Sequence, residues 1–320
     1  MRFLLHLSTT ALLLSVVSGC EMHDSFDELN PDRLDIYGED SRAEPYEFAE
    51  TSVEFRAVQA TAALVNFSGG AQPAGELRLY RGESLGREKS LCDGVRFEEQ
   101  PVLSSCTGFL IGPDLLATAG HCVNESTCGN INIVFDYRLT SADDTSLDGE
   151  VLVFPADNVY TCIKVEAHDY VPGGSCSSDY AILRLDRPVT GRVPLQLSDA
   201  TPSRGEAVFS VGHPSGLPTK VASDAIVRQS EGSTFRYELD LFAGNSGSPV
   251  LDAKGEVRGI HICGGQGDYT SDPAPWNPDF DLADGSCQVP TVCDEYCGSL
   301  GVAHDISALL PDIANLDTSL

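Results

Sequence analysis

Positive charge is what this chain has least of. Against 48 Asp and Glu it carries 20 Lys and Arg, a formal charge of −28 over 320 residues. So acidic a chain is repelled by nucleic acid and by anionic lipid headgroups, and no DNA or RNA partner is expected. The sequence also lacks any repeat of fixed period, and it has no glycine pattern of the Rossmann or P-loop kind. Zinc-finger spacing is missing too. Cys293 and Cys297 are close neighbours, but no His or Cys pair beside them completes a ligand set, so no metal site is expected.

The N-terminal apolar stretch "MRFLLHLSTTALLLSVVSGC" is short for a membrane span. Arg2, the apolar run and the small residues before Cys20 read as an export signal over 1–20. Its end, "VSGC", resembles the lipobox of bacterial lipoproteins, in which Cys20 would be lipidated after cleavage. The expectation is an exported protein, either attached to a membrane of the bacterial cell envelope through Cys20 or secreted. Ten cysteines follow Cys20, and an even number in an exported chain reads as a disulfide set. Two pairings are expected, Cys106 with Cys122 and Cys162 with Cys176.

Residues 21–50 are acidic, poor in periodic apolar residues and interrupted by Pro31 and Pro45. They read as a tether or pro-segment, docking at "IYGEDSR" if at all. From about residue 51, short apolar runs ("AALVNF", "GFLIG", "INIVF", "YAILRL", "VRGIHI") alternate with Gly, Pro, Asp and Ser clusters. Many short strands with regular punctuation mean an all-β sandwich or barrel. "DISALLPDIANL" reads as a short C-terminal helix with Asp305 as N-cap, Pro311 falling late or breaking it. The stretch 264–298 reads as a long disulfide-pinned loop, whose acids at 268–284 form a solvated surface rather than a calcium site.

Three local settings carry chemistry. In "ATAGHC" two alanines and a glycine leave little bulk around His121, and a Cys106–Cys122 bridge would fix the loop that carries it. In "DYAILRL" Asp179 opens an apolar strand, where a carboxylate can be buried against a partner. In "GNSGSPV" Ser246 stands between Gly244 and Gly247. A serine hydroxyl needs a base to act as a nucleophile, and that base is normally a histidine oriented by a carboxylate. Each setting alone has a bland explanation: a packed histidine, a turn aspartate, a tight hairpin. Their coincidence in the order His, Asp, Ser does not.

Together these motifs resemble the chymotrypsin-like, or trypsin-fold, serine peptidases, and "GNSGSP" with "GIHICGG" resembles the bacterial glutamyl-endopeptidase branch. The resemblance runs over residues 53–310, within a domain expected at 51–320. It implies a double six-stranded antiparallel β-barrel with the site in the cleft between barrels. It also implies a monomer acting on a protein or peptide substrate, with no metal or organic cofactor. Residue by residue, His121 would be the general base, Asp179 its orienting partner and Ser246 the nucleophile. The N–H groups of Gly244 and Ser246 would form the oxyanion hole. Asn245 is neutral where many animal relatives have an aspartate, so activation by pairing with a new N-terminal amine is not expected.

For substrate choice the resemblance points two ways. His261 matches the histidine with which glutamate-cleaving relatives receive an acidic side chain through a charge-assisted hydrogen bond. Asp240, six residues before Ser246, matches the aspartate with which trypsin-like relatives recruit Arg or Lys. It could face the pocket, pair with His261 or point to solvent. Leu241 replaces a threonine expected in the glutamate-specific branch. The reading leans to Glu or Asp at the cleaved position. The alternatives are an Arg/Lys preference through Asp240, an esterase with the same triad, and a catalytically silent binding lipoprotein.

Overall fold

The computed structural model describes residues 36–66, 76–172, 176–264, 280–283, 287–290, 292–293 and 300–316. The export signal, Cys20, residues 21–35, the acids at 268–279 and Cys297 lie outside them.

Six strands make the first barrel: β1 (Thr61–Asn66), β2 (Cys106–Leu110), β3 (Leu115–Thr118), β4 (Ile131–Phe135), β5 (Val159–Tyr170) and β6 (Asp179–Leu185). They close in the order β1-β2-β3-β6-β5-β4, every pair antiparallel. Six more make the second: β7 (Ala207–Gly212), β8 (Lys220–Glu231), β9 (Thr234–Glu238), β10 (Pro249–Asp252), β11 (Glu256–Gly264) and β12 (Gly301–Asp305). These run β7-β8-β9-β12-β11-β10, and the pairing of β11 with β12 closes the ring. The two barrels thus share one topology, and neither leaves an edge within its ring to pair with another chain. The fold is the all-β double barrel that the family resemblance implied.

Each barrel fills its interior with inward-facing alternate residues. In the first these include Leu64, Leu116, Ile133, Phe135 and Leu183; in the second, Val208, Val227, Phe235, Tyr237 and Leu241. A third cluster, with Phe109, Ala117, Val211, Ile260 and Val302, includes side chains from both barrels. Burying one such side chain is worth about 1.5–3 kcal/mol, so this shared cluster is what sets the relative position of the two halves.

Helices near the two ends of the domain depart from a purely β reading. Val53–Ala60 is a helix, α1; the Ser52 side chain accepts from the Phe55 N–H, and Phe55, Ala57, Val58 and Ala60 form its buried face. At the other end Asp305 accepts from the Ser307 N–H and starts a 3₁₀ turn, Ile306–Leu309, which continues as helix α2, Leu310–Ala314. Pro311 does not break it, because it sits in the first turn of α2, where a missing N–H costs nothing.

The described part of the acidic N-terminal segment is packed onto the domain rather than hanging from it as a tether. Ile36, Arg42 and Glu44 are buried, and Ala43 exchanges two backbone hydrogen bonds with Val221 of β8. Within 264–298, Phe280–Ala283 and Cys287–Pro290 pair as an antiparallel ribbon.

Four disulfides occur among the described residues: Cys92–Cys287, Cys106–Cys122, Cys128–Cys162 and Cys176–Cys263. The expected Cys162–Cys176 pairing is therefore wrong. Cys162 faces the barrel-one turn that holds Cys128, whereas Cys176 reaches across to β11 of the second barrel. Sequence proximity is a poor guide where strands distant in sequence are neighbours in space. Such a set of bridges fits an oxidising compartment.

Candidate active site

Strand register brings the histidine to the carboxylate. Thr118 of β3 pairs with Ala181 of β6, and β6 begins two residues before that, at Asp179, beside the turn that follows β3. A side chain at Gly120 would meet the Asp169 carbonyl oxygen at 2.6 Å and that of Tyr180 at 2.9 Å, so only glycine allows the chain to turn here. The turn Gly120–Cys122 then carries His121. Asp179 is buried and holds His121 twice. Its Oδ1 accepts from the His121 main-chain N–H at 2.9 Å, and its Oδ2 lies 2.7 Å from Nδ1. With Nδ1–H donated to the carboxylate, Nε2 keeps its lone pair and can accept a proton.

The serine loop joins Phe242 to β10, and it adopts its shape through two left-handed glycines. Gly244 has φ +97° and Gly247 φ +88°. A Cβ at Gly244 would lie 2.5 Å from the His213 carbonyl oxygen, and one at Gly247 would lie 2.1 Å from that of Thr107. The N–H groups of Asn245, Gly247 and Ser248 are bonded within the fold, to Phe242, His261 and Asn245 carbonyls. Among the described residues those of Gly244 and Ser246 have no acceptor. Asn245 is buried, with its Oδ1 3.4 Å from the Ser248 hydroxyl that donates to it.

Thr107, which the motifs did not single out, fastens this loop to the first barrel. Its N–H donates to the Ser246 carbonyl at 2.8 Å. Its hydroxyl donates to the Gly244 carbonyl at 2.9 Å and accepts from the His213 N–H at 3.1 Å. The Ser246 carbonyl also lies 3.7 Å from Sγ of Cys122, the residue after His121. The Cys106–Cys122 bond therefore joins the two chain segments on which the serine loop rests. His121, Asp179 and the Ser246 loop come together at the junction of the barrels. The Ser246 hydroxyl itself makes no hydrogen bond among the described residues.

Cys106, His121 and Cys122 cluster closely enough to suggest a metal. Both sulfurs are committed to the disulfide, however, and supply no thiolate.

The pocket residues differ from expectation in three respects. His261 lies directly behind the serine loop, its backbone bonded to Gly247 and Ser248. It is buried, its Nδ1 is 2.8 Å from the Tyr237 hydroxyl, and burial pushes its pKa down to about 3. It is thus a neutral hydrogen-bonding group at pH 7, not a standing cation. Leu241 is not a pocket contact. Its side chain is in the second-barrel core with Val227, Tyr237 and Ala303. Asp240 neither points to solvent nor pairs with His261. It is buried, with Oδ1 accepting from the Tyr37 N–H at 2.7 Å and Oδ2 from the Ser41 N–H at 2.6 Å.

Residues 106–260 match the family model described as a trypsin-like peptidase domain. The chain is 28% identical over 162 residues to a glutamyl endopeptidase of Bacillus licheniformis, covering 47% of this chain and 46% of that relative. It is 25% identical over 189 residues to a glutamyl endopeptidase of Staphylococcus epidermidis, covering 56% of this chain and 62% of that one. The match therefore spans less than two thirds of either relative's length. Among solved structures, neuropsin, a serine protease of mouse brain, aligns at 17% identity and a TM-score of 0.47, covering 81% of this chain and 94% of that one. The paired barrels and the match over residues 106–260 thus make this chain similar to trypsin-like peptidase domains.

Proposed function

We propose that the protein is an exported serine endopeptidase that hydrolyses peptide bonds through an acyl-enzyme on Ser246. The observation that carries this reading is the two-point hold of buried Asp179 on His121, beside a serine loop whose Gly244 and Ser246 N–H groups are unclaimed among the described residues. Ser246 Oγ attacks the scissile carbonyl carbon while His121 Nε2 takes its proton. The Gly244 and Ser246 N–H groups receive the oxyanion. The tetrahedral intermediate collapses as His121 returns the proton to the leaving amine, and water repeats the sequence on the ester. The Ser246–His121 hydrogen bond forms when substrate is bound, as catalytic contacts tighten in the Michaelis complex.

The preference proposed is for Glu or Asp at the cleaved position. A buried neutral imidazole, with the Tyr237 hydroxyl donating to Nδ1, keeps its proton on Nε2 and can donate it to an incoming carboxylate. Arrival of that carboxylate raises the basicity of His261 and strengthens the bond. An Arg/Lys preference is less favoured, because both oxygens of Asp240 are already engaged by backbone. Export through residues 1–20, with Cys20 lipidated, belongs to the same proposal.

The test is a panel of fluorogenic peptides with Glu, Asp, Arg, Lys, Phe or Ala at the cleaved position, using protein without residues 1–20 and Ser246→Ala as control. Cleavage after Glu or Asp that vanishes in the control is expected. A protein that cleaves nothing and does not react with a serine-directed organophosphorus probe would be a silent binder instead.

A further inference from the structure

Asp240, six residues before Ser246, raises the question of what its carboxylate does in a chain expected to cleave after acids. The segment Ile36–Glu47 lies along the chain that leads into the nucleophile loop and grips it at alternate residues. At Asp240 the grip is two backbone N–H groups, from Tyr37 and Ser41. At Phe242 it is the Arg42 guanidinium, 4.1 Å from the ring centre. Phe242 in turn accepts the Asn245 N–H through its carbonyl at 3.0 Å, so the gripped stretch runs directly into the serine loop. Ile36 packs with Phe242, Leu85 and Leu217.

The segment is itself fastened from behind. Arg42 pairs with Asp40 through two hydrogen bonds, and Arg96 donates to the Asp40 and Arg42 carbonyls. Buried Glu44 meets buried Lys220 at 3.1 Å, and Gln100 bonds both. Leaving one member of such a buried set without its partner is strongly destabilising, so the segment is not built to come away.

We propose that residues 36–47 are a permanent strap of the active domain, and that Asp240 is a specificity-determining residue acting through it. Held by the strap's backbone donors, the carboxylate is withheld from a cationic substrate side chain, which leaves the choice of substrate to His261. The preference part rests on the peptidase reading above; the strap does not.

Three measurements on the full-length protein test it. In the first, mass spectrometry of the active, matured protein should find an N-terminus at or before Ile36. A mature form beginning after Ala43 overturns the strap. In the second, Asp240→Asn should speed hydrogen exchange at the Tyr37 and Ser41 amides by about tenfold or more, the weight of a charge-assisted hydrogen bond. Unchanged exchange overturns the anchoring. This reading needs no catalysis, so it stands apart from failure of the peptidase reading.

In the third, Ser41→Pro removes one donor and leaves the Asp240 charge in place. The ratio of kcat/KM for Glu over Lys peptides should fall by about tenfold, and adding Asp240→Asn to that variant should restore it. An unchanged ratio in a folded Ser41→Pro protein, or a parent protein that already prefers Lys, overturns the specificity role.

Discussion

At the scale of single residues, the three motifs stand out because each carries a steric requirement that shows in its composition. Gly120, Gly244 and Gly247 stand where a Cβ would strike a backbone oxygen, and glycines so placed can be read from a sequence. Thr107 could not be. Its part depends on Gly244, Ser246 and His213, more than a hundred residues away in sequence. It yields a sharp prediction. Thr107→Val keeps the shape but leaves the buried His213 N–H and the Gly244 carbonyl without a partner. That costs about 2 kcal/mol of stability. By freeing the Gly244 peptide it should also lower kcat about tenfold with little change in KM, a fraction of the loss seen when an oxyanion donor is removed. Thr107→Ser restores both hydrogen bonds and should restore kcat. Thermal melts and steady-state kinetics on the three proteins decide it; equal kcat in all would detach Thr107 from the site. Leu241 went astray for the opposite reason. Adjacent residues on an extended chain point to opposite sides, and spacing from Ser246 does not say which side holds the pocket.

At the scale of elements, strands were legible where apolar runs were short and bounded, and the barrel count followed from the family resemblance. Helix α1 was missed although its signals were present: Ser52 before it, and Phe55 and Val58 three apart on the buried face. Two amphipathic turns among many strand-like runs do not stand out. The disulfides show where local reading stops. Cys106–Cys122 joins segments brought together by neighbouring strands β2 and β3. Cys176–Cys263 instead links the approach to Asp179 in one barrel with the strand of His261 in the other. Among the described residues it is the one covalent tie from a first-barrel loop to a second-barrel strand. Replacing both cysteines by serine should cost about 2–4 kcal/mol, seen as a lower Tm. The His121–Asp179 pair lies wholly within the first barrel and should be spared. Activity should fall because Ser246 moves relative to that pair, while the acidic limb of the pH–rate profile stays put. A shifted limb would show that the bridge acts on Asp179 itself.

At the scale of the whole molecule, the charge of −28 and the buried histidines make opposite demands on acid stability. Lowering the pH relieves repulsion among carboxylates, but most of that relief comes near and below pH 5, where carboxylates begin to titrate. Histidines act first. His213 and His261 are fully buried, and desolvation pushes both down to about 3; burial lowers His304 as well. A histidine with a depressed native pKa binds a proton in the unfolded chain, near pH 6.5, before it does in the folded one. The unfolded state therefore gains as pH drops through 6.5. The stability that His213 and His261 allow at neutral pH is lost steadily down to about 3. Each contributes a slope approaching 1.4 kcal/mol per pH unit below its unfolded pKa. Denaturant unfolding between pH 7 and pH 5 should thus show a steep loss of stability, before carboxylate titration can offset it. His213→Asn, which removes the residue stacked on Tyr137 at 5.7 Å between ring centres, should lower the stability at pH 7 yet flatten its decline with acid. A wild-type profile level from pH 7 to 5 would mean that charge relief prevails and that the buried imidazoles are protonated at little cost.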